Sequence, residues 1–313
     1  MKVLVIGANG FVGQAVLSRI NDLAGLIAIG SVRSMAKFAY VGSPLITVGE
    51  LSAQTDWTEA LVGVRAVVHT AARVHIMQET SDDPLEEFRR INVQGTLNLA
   101  RQAAATGVSR FVFVSSIKVN GELTQSGCPF TAEDIPAPLD AYSVSKMEAE
   151  QGLREISQIS NMEVVIIRPP LVYGPGVKAN FALMMRWLKR GLPLPLGAIH
   201  NRRSLVALDN LVDLIILCIN HPAAANQTFL VSDGEDVSTN ELLRRMGEAL
   251  ICPARLIPVP VRWLNLAATL IGKQDVTRRL CGSLQVDIKK TQDLLGWTPP
   301  VSLDEGLRRA AGR

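Results

Sequence analysis

The feature that most constrains this chain is its opening stretch, Val3-Leu-Val-Ile6 followed by glycines at 7, 10 and 13. An unbroken β-branched and apolar run suits a strand buried on both faces. Glycines packed close behind it, with Phe11 and Val12 opening an apolar helical run among them, specify strand, tight turn and helix. A strand buried on both faces needs parallel neighbours, and parallel neighbours need crossover helices. The rest of the first half supplies them. Strands are expected at Lys2–Ile6, Leu26–Val32, Leu45–Val48, Ala66–Thr70, Arg110–Ser115 and Val164–Arg168. Helices are expected at Phe11–Leu23, Trp57–Leu61, Pro84–Thr106 and Ala141–Ile159.

This pattern gives an α/β fold class, a Rossmann-type doubly wound parallel sheet over residues 1–168. Arg168-Pro-Pro170 ends the last strand, because proline cannot continue a ladder. Beyond it, Tyr173-Gly-Pro-Gly176 and Gly191-Leu-Pro-Leu-Pro195 punctuate shorter elements, so residues 169–313 are expected to form mainly a smaller C-terminal α/β lobe.

Charge narrows the partners. With 32 basic residues against 29 acidic ones spread along the chain, no basic block suggests nucleic acid. Cys128, Cys218, Cys252 and Cys281 have no metal-ligand spacing, so no metal is expected and the thiols read as free and buried in a reducing cytoplasm. No run reaches the roughly 18 apolar residues of a transmembrane segment. The first apolar run is too short for a signal sequence, which again points to a cytoplasmic protein. Leu211–Ile219 and Val259–Gly272 read as buried helices, the second alternatively as a surface helix touching membrane.

A strand, glycines and a helix together present backbone N–H groups and a helix dipole to an anion. Gly7 permits the turn, Gly10 lets a phosphate approach, and Gly13 lets the helix pack on the strand. At the end of the second strand stand Arg33 and Ser34, with no acid to grip ribose hydroxyls. They favour NADP(H) over NAD(H), which the turn also admits; a solvated arginine is the plain alternative. Glu50 and Leu51 fall where an adenine would lie. Tyr142 and Lys146, four apart on a helix, share a face. An ammonium beside a phenol stabilises the phenolate and brings it towards its working range. Ser116, at a strand end, can hydrogen-bond a substrate oxygen.

On these residues the chain resembles the extended short-chain dehydrogenase/reductase family, of NAD-dependent epimerase/dehydratase type. The resemblance also rests on His69-Thr-Ala-Ala72, Asn92-Val-Gln-Gly-Thr96, Arg168-Pro-Pro and Leu295-Gly-Trp-Thr-Pro299. It implies catalytic roles for Ser116, Tyr142 and Lys146, and cofactor contacts at Ala71, Ala72 and Pro169. It implies a UDP-sugar substrate in the C-terminal lobe, with Asn180, Arg203 and, less closely matched, Arg279 near its phosphates. Asn92 is implied to support the site, and Pro84–Thr106 with Ala141–Ile159 to form a homodimer.

Two departures steer the expected reaction. Dehydratases of the family carry Asp-Glu after the catalytic Ser or Thr, where this chain has Ile117-Lys118. Epimerases usually read Val-Tyr-Gly where this chain reads Val119-Asn120-Gly121. The Ser115-Ser-Ile-Lys-Val-Asn-Gly-Glu122 run looks most like a bacterial surface-polysaccharide (O-antigen type) branch. The leading expectation is an NAD(P)H-dependent reductase of a 4-keto UDP-sugar, of the type that makes UDP-N-acetylquinovosamine, with Lys118 either reaching the sugar or, as a plain loop lysine, facing water. The alternative is a UDP-hexose or UDP-N-acetylhexosamine 4-epimerase with bound NAD; a silent dinucleotide sensor is a remote third.

Overall fold

The computed structural model describes residues 1–34, 42–74, 83–125, 127–270, 272 and 274–313. The chain begins with β1 (Lys2–Ile6), α1 (Phe11–Asn21), β2 (Ile27–Val32), β3 (Leu45–Thr47) and β4 (Val64–His69). Helix α2 (Pro84–Phe88) passes through a π-helical segment, Arg89–Gly95, into α3 (Thr96–Ala105). Then come β5 (Arg110–Val114), α4 (Ala141–Gln158), β6 (Glu163–Arg168) and β7 (Leu171–Tyr173). They are followed by α5 (Ala179–Lys189), β8 (Arg203–Ala207), α6 (Leu208–Asn220), β9 (Thr228–Leu230) and β10 (Asp236–Val237). Helices α7 (Thr239–Ala249), α8 (Val261–Leu270), α9 (Gln274–Cys281), α10 (Lys289–Leu295) and α11 (Leu303–Ala310) complete it.

Seven strands pair in the order β3-β2-β1-β4-β5-β6-β9, every pair parallel. The two-residue period of a strand divides its apolar residues between two cores. Val3, Val5, Val112 and Val165 pack against Leu17 of α1 and Leu211 of α6. Leu4, Ile6, Phe111 and Phe113 pack against Leu99 of α3 and Leu153 of α4. Strand order reverses between β1 and β4, and a crevice opens there beyond their carboxyl ends.

A second sheet, β10-β8-β7, carries a third core built from Tyr173, Phe181, Leu205, Leu243, Met246 and Leu307. Asp233, just beyond β9, fastens the two sheets together. Its carboxylate accepts from Tyr173 Oη, Ala207 N and Asn210 Nδ2, each at 2.7 Å. Burial raises the pKa of Asp233, and burial beside that carboxylate raises the pKa of Tyr173 well above its ordinary value.

Several expectations need correction. Residues 57–61 form a turn rather than a helix. The expected single helix over Pro84–Thr106 is interrupted by the π segment. After residue 168 the chain does not stay in one lobe, because α6 and β9 return to the first sheet and its core. The four cysteines are free, but only Cys218 is buried and Cys128 is exposed. Leu211–Ile219 lies within the buried α6, whereas α8 exposes much of its apolar surface.

Candidate active site

A cleft of about 710 Å³ opens at the β1/β4 crevice. The glycine turn forms one wall because no side chain fits there. Gly7 has φ +81°, and a Cβ on it would lie 2.8 Å from Ala71 N; one on Gly13 would lie 2.1 Å from Gly7 O. Helix α1 therefore starts directly beneath the turn, with the N–H end of its dipole towards the cleft. Gly7, Gly10, Phe11, Val12, Gly13, Arg33, Glu50, Leu51, Ala71, Ala72 and Pro169 line the cleft with Ser116, Tyr142 and Lys146. Such a cleft has room for a dinucleotide, and the backbone N–H groups of the turn could hold its phosphates.

Helix α4 delivers the last two residues. Asp140 caps it, its carboxylate accepting from Ser143 N at 2.7 Å while Ser143 Oγ bonds back to the cap. Tyr142 sits in the first turn, edge-on to Phe88 with centroids 6.1 Å apart. Burial, then the Asp140 charge, pushes its phenol up to about 12. Lys146 donates to Val114 O at 2.8 Å and stands 4.1 Å from the Phe113 ring centroid. Burial pulls its ammonium down to about 7, opposed by the nearby Glu150 carboxylate. A phenol and an ammonium thus line one cleft, and burial sets the ammonium near neutrality. Ser116 Oγ caps the short turn Ile117–Val119 by accepting from Lys118 N, so its own O–H can be offered to an oxygen in the cleft.

Behind these groups lies a buried ion pair. Arg168 Nη2 and Glu150 Oε2 are 2.5 Å apart, and Ser115 Oγ donates to Glu150 Oε1 at 2.5 Å. Arg168 Nη1 also donates to Asn120 Oδ1 at 2.9 Å, while Asn120 Nδ2 donates to Thr131 O. Asn120, the residue that stands where epimerases usually carry tyrosine, is therefore a buried structural link. It lies outside the residues that line the cleft.

The π segment was not foreseen. It turns Asn92 inwards, where Oδ1 accepts from Arg73 N at 2.8 Å and Nδ2 donates to Arg73 O and Ser145 Oγ. Asn92 so ties the β4 exit to α4. Arg73, Thr70, Ser31, Asn9 and Ile91 also line the cleft but were not singled out from the sequence. The signal for Thr70 and Arg73 was their place on either side of Ala71-Ala72 at a strand end.

The remaining expected contacts lie elsewhere. Ser34, Lys118, Asn180, Arg203 and Arg279 are not among the residues lining this cleft. Lys118 is bound to Asp140 at 2.5 Å and Glu122 at 3.3 Å. Asn180 is exposed in the first turn of α5, and Arg279 is exposed on α9. Arg203 donates to the carbonyls of Arg279 (2.7 Å) and Gly282 (3.2 Å), and burial lowers its pKa.

Residues 3–232 match the model of the NAD dependent epimerase/dehydratase family. Over 311 residues the chain is 49% identical to a UDP-glucose 4-epimerase of Vibrio cholerae, covering 99% of this chain and 94% of that protein. Among solved structures, a UDP-glucuronic acid 4-epimerase from Bacillus cereus in complex with NAD superposes with TM-score 0.79 at 18% identity, covering 100% of this chain and 98% of that one. A Thermotoga maritima UDP-glucose 4-epimerase with UDP-glucose gives 0.78 at 21% identity, with the same coverage. At these identities the two structures speak for the fold.

Proposed function

Since this chain belongs to the NAD dependent epimerase/dehydratase family of enzymes, we propose that it is a 4-epimerase of a UDP-hexose or UDP-N-acetylhexosamine, working with a retained NAD. The observation that carries the choice of reaction is the 49% identity, end to end, with a UDP-glucose 4-epimerase. The geometry agrees, because Ser116, Tyr142 and Lys146 line the same cleft as the glycine turn. The expected preference for a 4-keto reductase and for NADP(H) lacks comparable support. Arg33 is exposed at the cleft rim, where a guanidinium also stacks on an adenine face, so it does not by itself require a 2′-phosphate.

Gly7, Gly10 and Gly13 would hold the pyrophosphate, Leu51 and Arg33 would face the adenosine, and Lys146 would face the second ribose. When bound, NAD supplies reversible hydride acceptance. The protein's own part is proton handling at the sugar C4 oxygen. Tyr142 Oη takes the C4 hydroxyl proton and returns it after the sugar has presented its other face. Ser116 Oγ donates a hydrogen bond to the same oxygen. Lys146 favours the phenolate that burial and Asp140 disfavour. Epimerisation is an isomerisation, so no external reductant is consumed.

The test is to purify the protein without added cofactor, assay NAD released on denaturation, and follow UDP-glucose and UDP-N-acetylglucosamine by nuclear magnetic resonance. Retained NAD and conversion to the galacto sugar are expected. Failure to convert either sugar, with NADPH consumption on a 4-keto UDP-sugar, would replace the epimerase with the reductase.

A further inference from the structure

We propose that α8 is a docking face for an anionic lipid bilayer, on which the protein rests without spanning it. The helix is apolar on two sides. Its inner side, including Val261 and Leu264, packs against the third core, and Ala268 is buried. Its outer side carries Trp263, Leu266 and Leu270, which are 55%, 52% and 79% exposed, with Ala267 exposed beside them. At helical spacing these four fall within an arc of about 100°. A contiguous solvent-facing stripe of a tryptophan and two leucines marks an interaction surface.

Charge decides the occupant. Residues 251–286 contain Arg255, Arg262, Lys273, Arg278 and Arg279 against Asp275 alone, a net +4 in a chain whose whole net charge is +3. The rest of the molecule sums to a slight negative charge although residues 178–203 form another basic stretch, so the helix lies in one of the basic segments of the chain. Arg255, Arg262, Arg278 and Arg279 are all exposed, and Arg262 flanks the apolar stripe directly. Apolar side chains entering the headgroup boundary, bordered by guanidinium groups, match an anionic membrane surface. A second copy of the chain fits poorly, because the paired patches would bring the arginines together. Among the described residues no helix is long and apolar enough to cross a membrane, and α8 has ten residues, so the helix lies on the surface.

The purified full chain should be floated with vesicles of phosphatidylcholine, with and without phosphatidylglycerol, at low and high salt. Binding to the anionic vesicles alone, weakened by salt, is expected. Trp57 and Trp297 are buried and Trp187 is half-buried against the third core, so in a Trp187→Phe background a lipid-dependent blue shift of tryptophan emission will report chiefly on Trp263. The triple variant Trp263→Ser, Leu266→Ser, Leu270→Ser should lose binding about tenfold or more while keeping sugar turnover and melting temperature. Arg262→Glu should weaken binding to a smaller degree. The proposal is overturned if the parent fails to float with anionic vesicles or if the triple variant floats equally well. It is also overturned if light scattering finds a dimer that the triple variant dissolves, which would assign the face to a second copy. None of these outcomes depends on which sugar is epimerised.

Discussion

The cleft wall on the first sheet and the second sheet beside it, which we propose as the side that recognises the rest of a nucleotide sugar, are built in different ways. The first-sheet wall is assembled from strand ends and one helix, each specified by a few adjacent residues. The glycine turn follows β1 directly, Ser116 follows β5, and Tyr142 and Lys146 stand four positions apart on α4. The second wall is assembled from segments far apart in the chain. Strand β8 is completed by β7 and β10, and Arg203 reaches carbonyls at residues 279 and 282. Local construction gives Ser116, Tyr142 and Lys146 the rigidity of the parallel sheet and of the helix packed on it. Long-range construction suits recognition, because its parts can be exchanged without disturbing the sheet.

The strongest way to break this comparison is at Tyr142. Tyr142→Phe removes the proton-transfer atom and leaves the ring against Phe88. Steady-state assays should show kcat lowered by about 10²–10⁴-fold with NAD content unchanged. A variant with parental kcat would remove the first wall from the chemistry altogether.

Next in size is the buried pair behind that wall. Arg168 and Glu150 are 2% and 1% exposed in their side chains and share a 2.5 Å contact. Glu150→Gln leaves a buried guanidinium without its counter-charge, a change that costs about 3–5 kcal/mol. Urea unfolding should show that loss. A loss confined to a few tenths would mean the first wall owes its rigidity to apolar packing alone.

The second wall is probed by Arg203→Met. If this side recognises rather than reacts, KM for the UDP-sugar should rise about tenfold while kcat changes little. A fall in kcat with unchanged KM would reverse the assignment of the two walls.

The same division explains what could be read from the sequence. The parallel strands were legible because burial on both faces leaves an unbroken apolar signature, as in Phe111-Val-Phe-Val114. The glycine turn, Ser116, Tyr142 and Lys146 were legible because each stands at a fixed offset from such a strand or helix. The π segment was not, since Arg89–Gly95 keeps a helical apolar pattern and the extra residue per turn is stabilised by Asn92 bonding to Arg73 and Ser145, both distant in the chain. The return of α6 and β9 to the first sheet was equally hidden. Their apolar runs announce burial without naming the core they enter. Lys118 was misplaced for a related reason, because its partner Asp140 lies 22 residues away.

That pairing offers the finest adjustment to the comparison. Asp140 caps α4 and its negative charge disfavours the Tyr142 phenolate, while Lys118, 2.5 Å from the carboxylate, offsets that charge. Lys118→Met removes the offset, so Tyr142 should give up its proton less readily. The basic form then appears at higher pH, and the limb of the kcat profile set by Tyr142 should move up by about half a unit. Below that limb kcat should fall roughly threefold and recover as pH rises. Lys118→Arg keeps the positive charge and should keep the parental limb. An unshifted limb in Lys118→Met, with a lower melting temperature, would mean that the pair only staples the helix to the turn after Ser116. The electrostatic setting of Tyr142 would then belong wholly to burial and to Lys146.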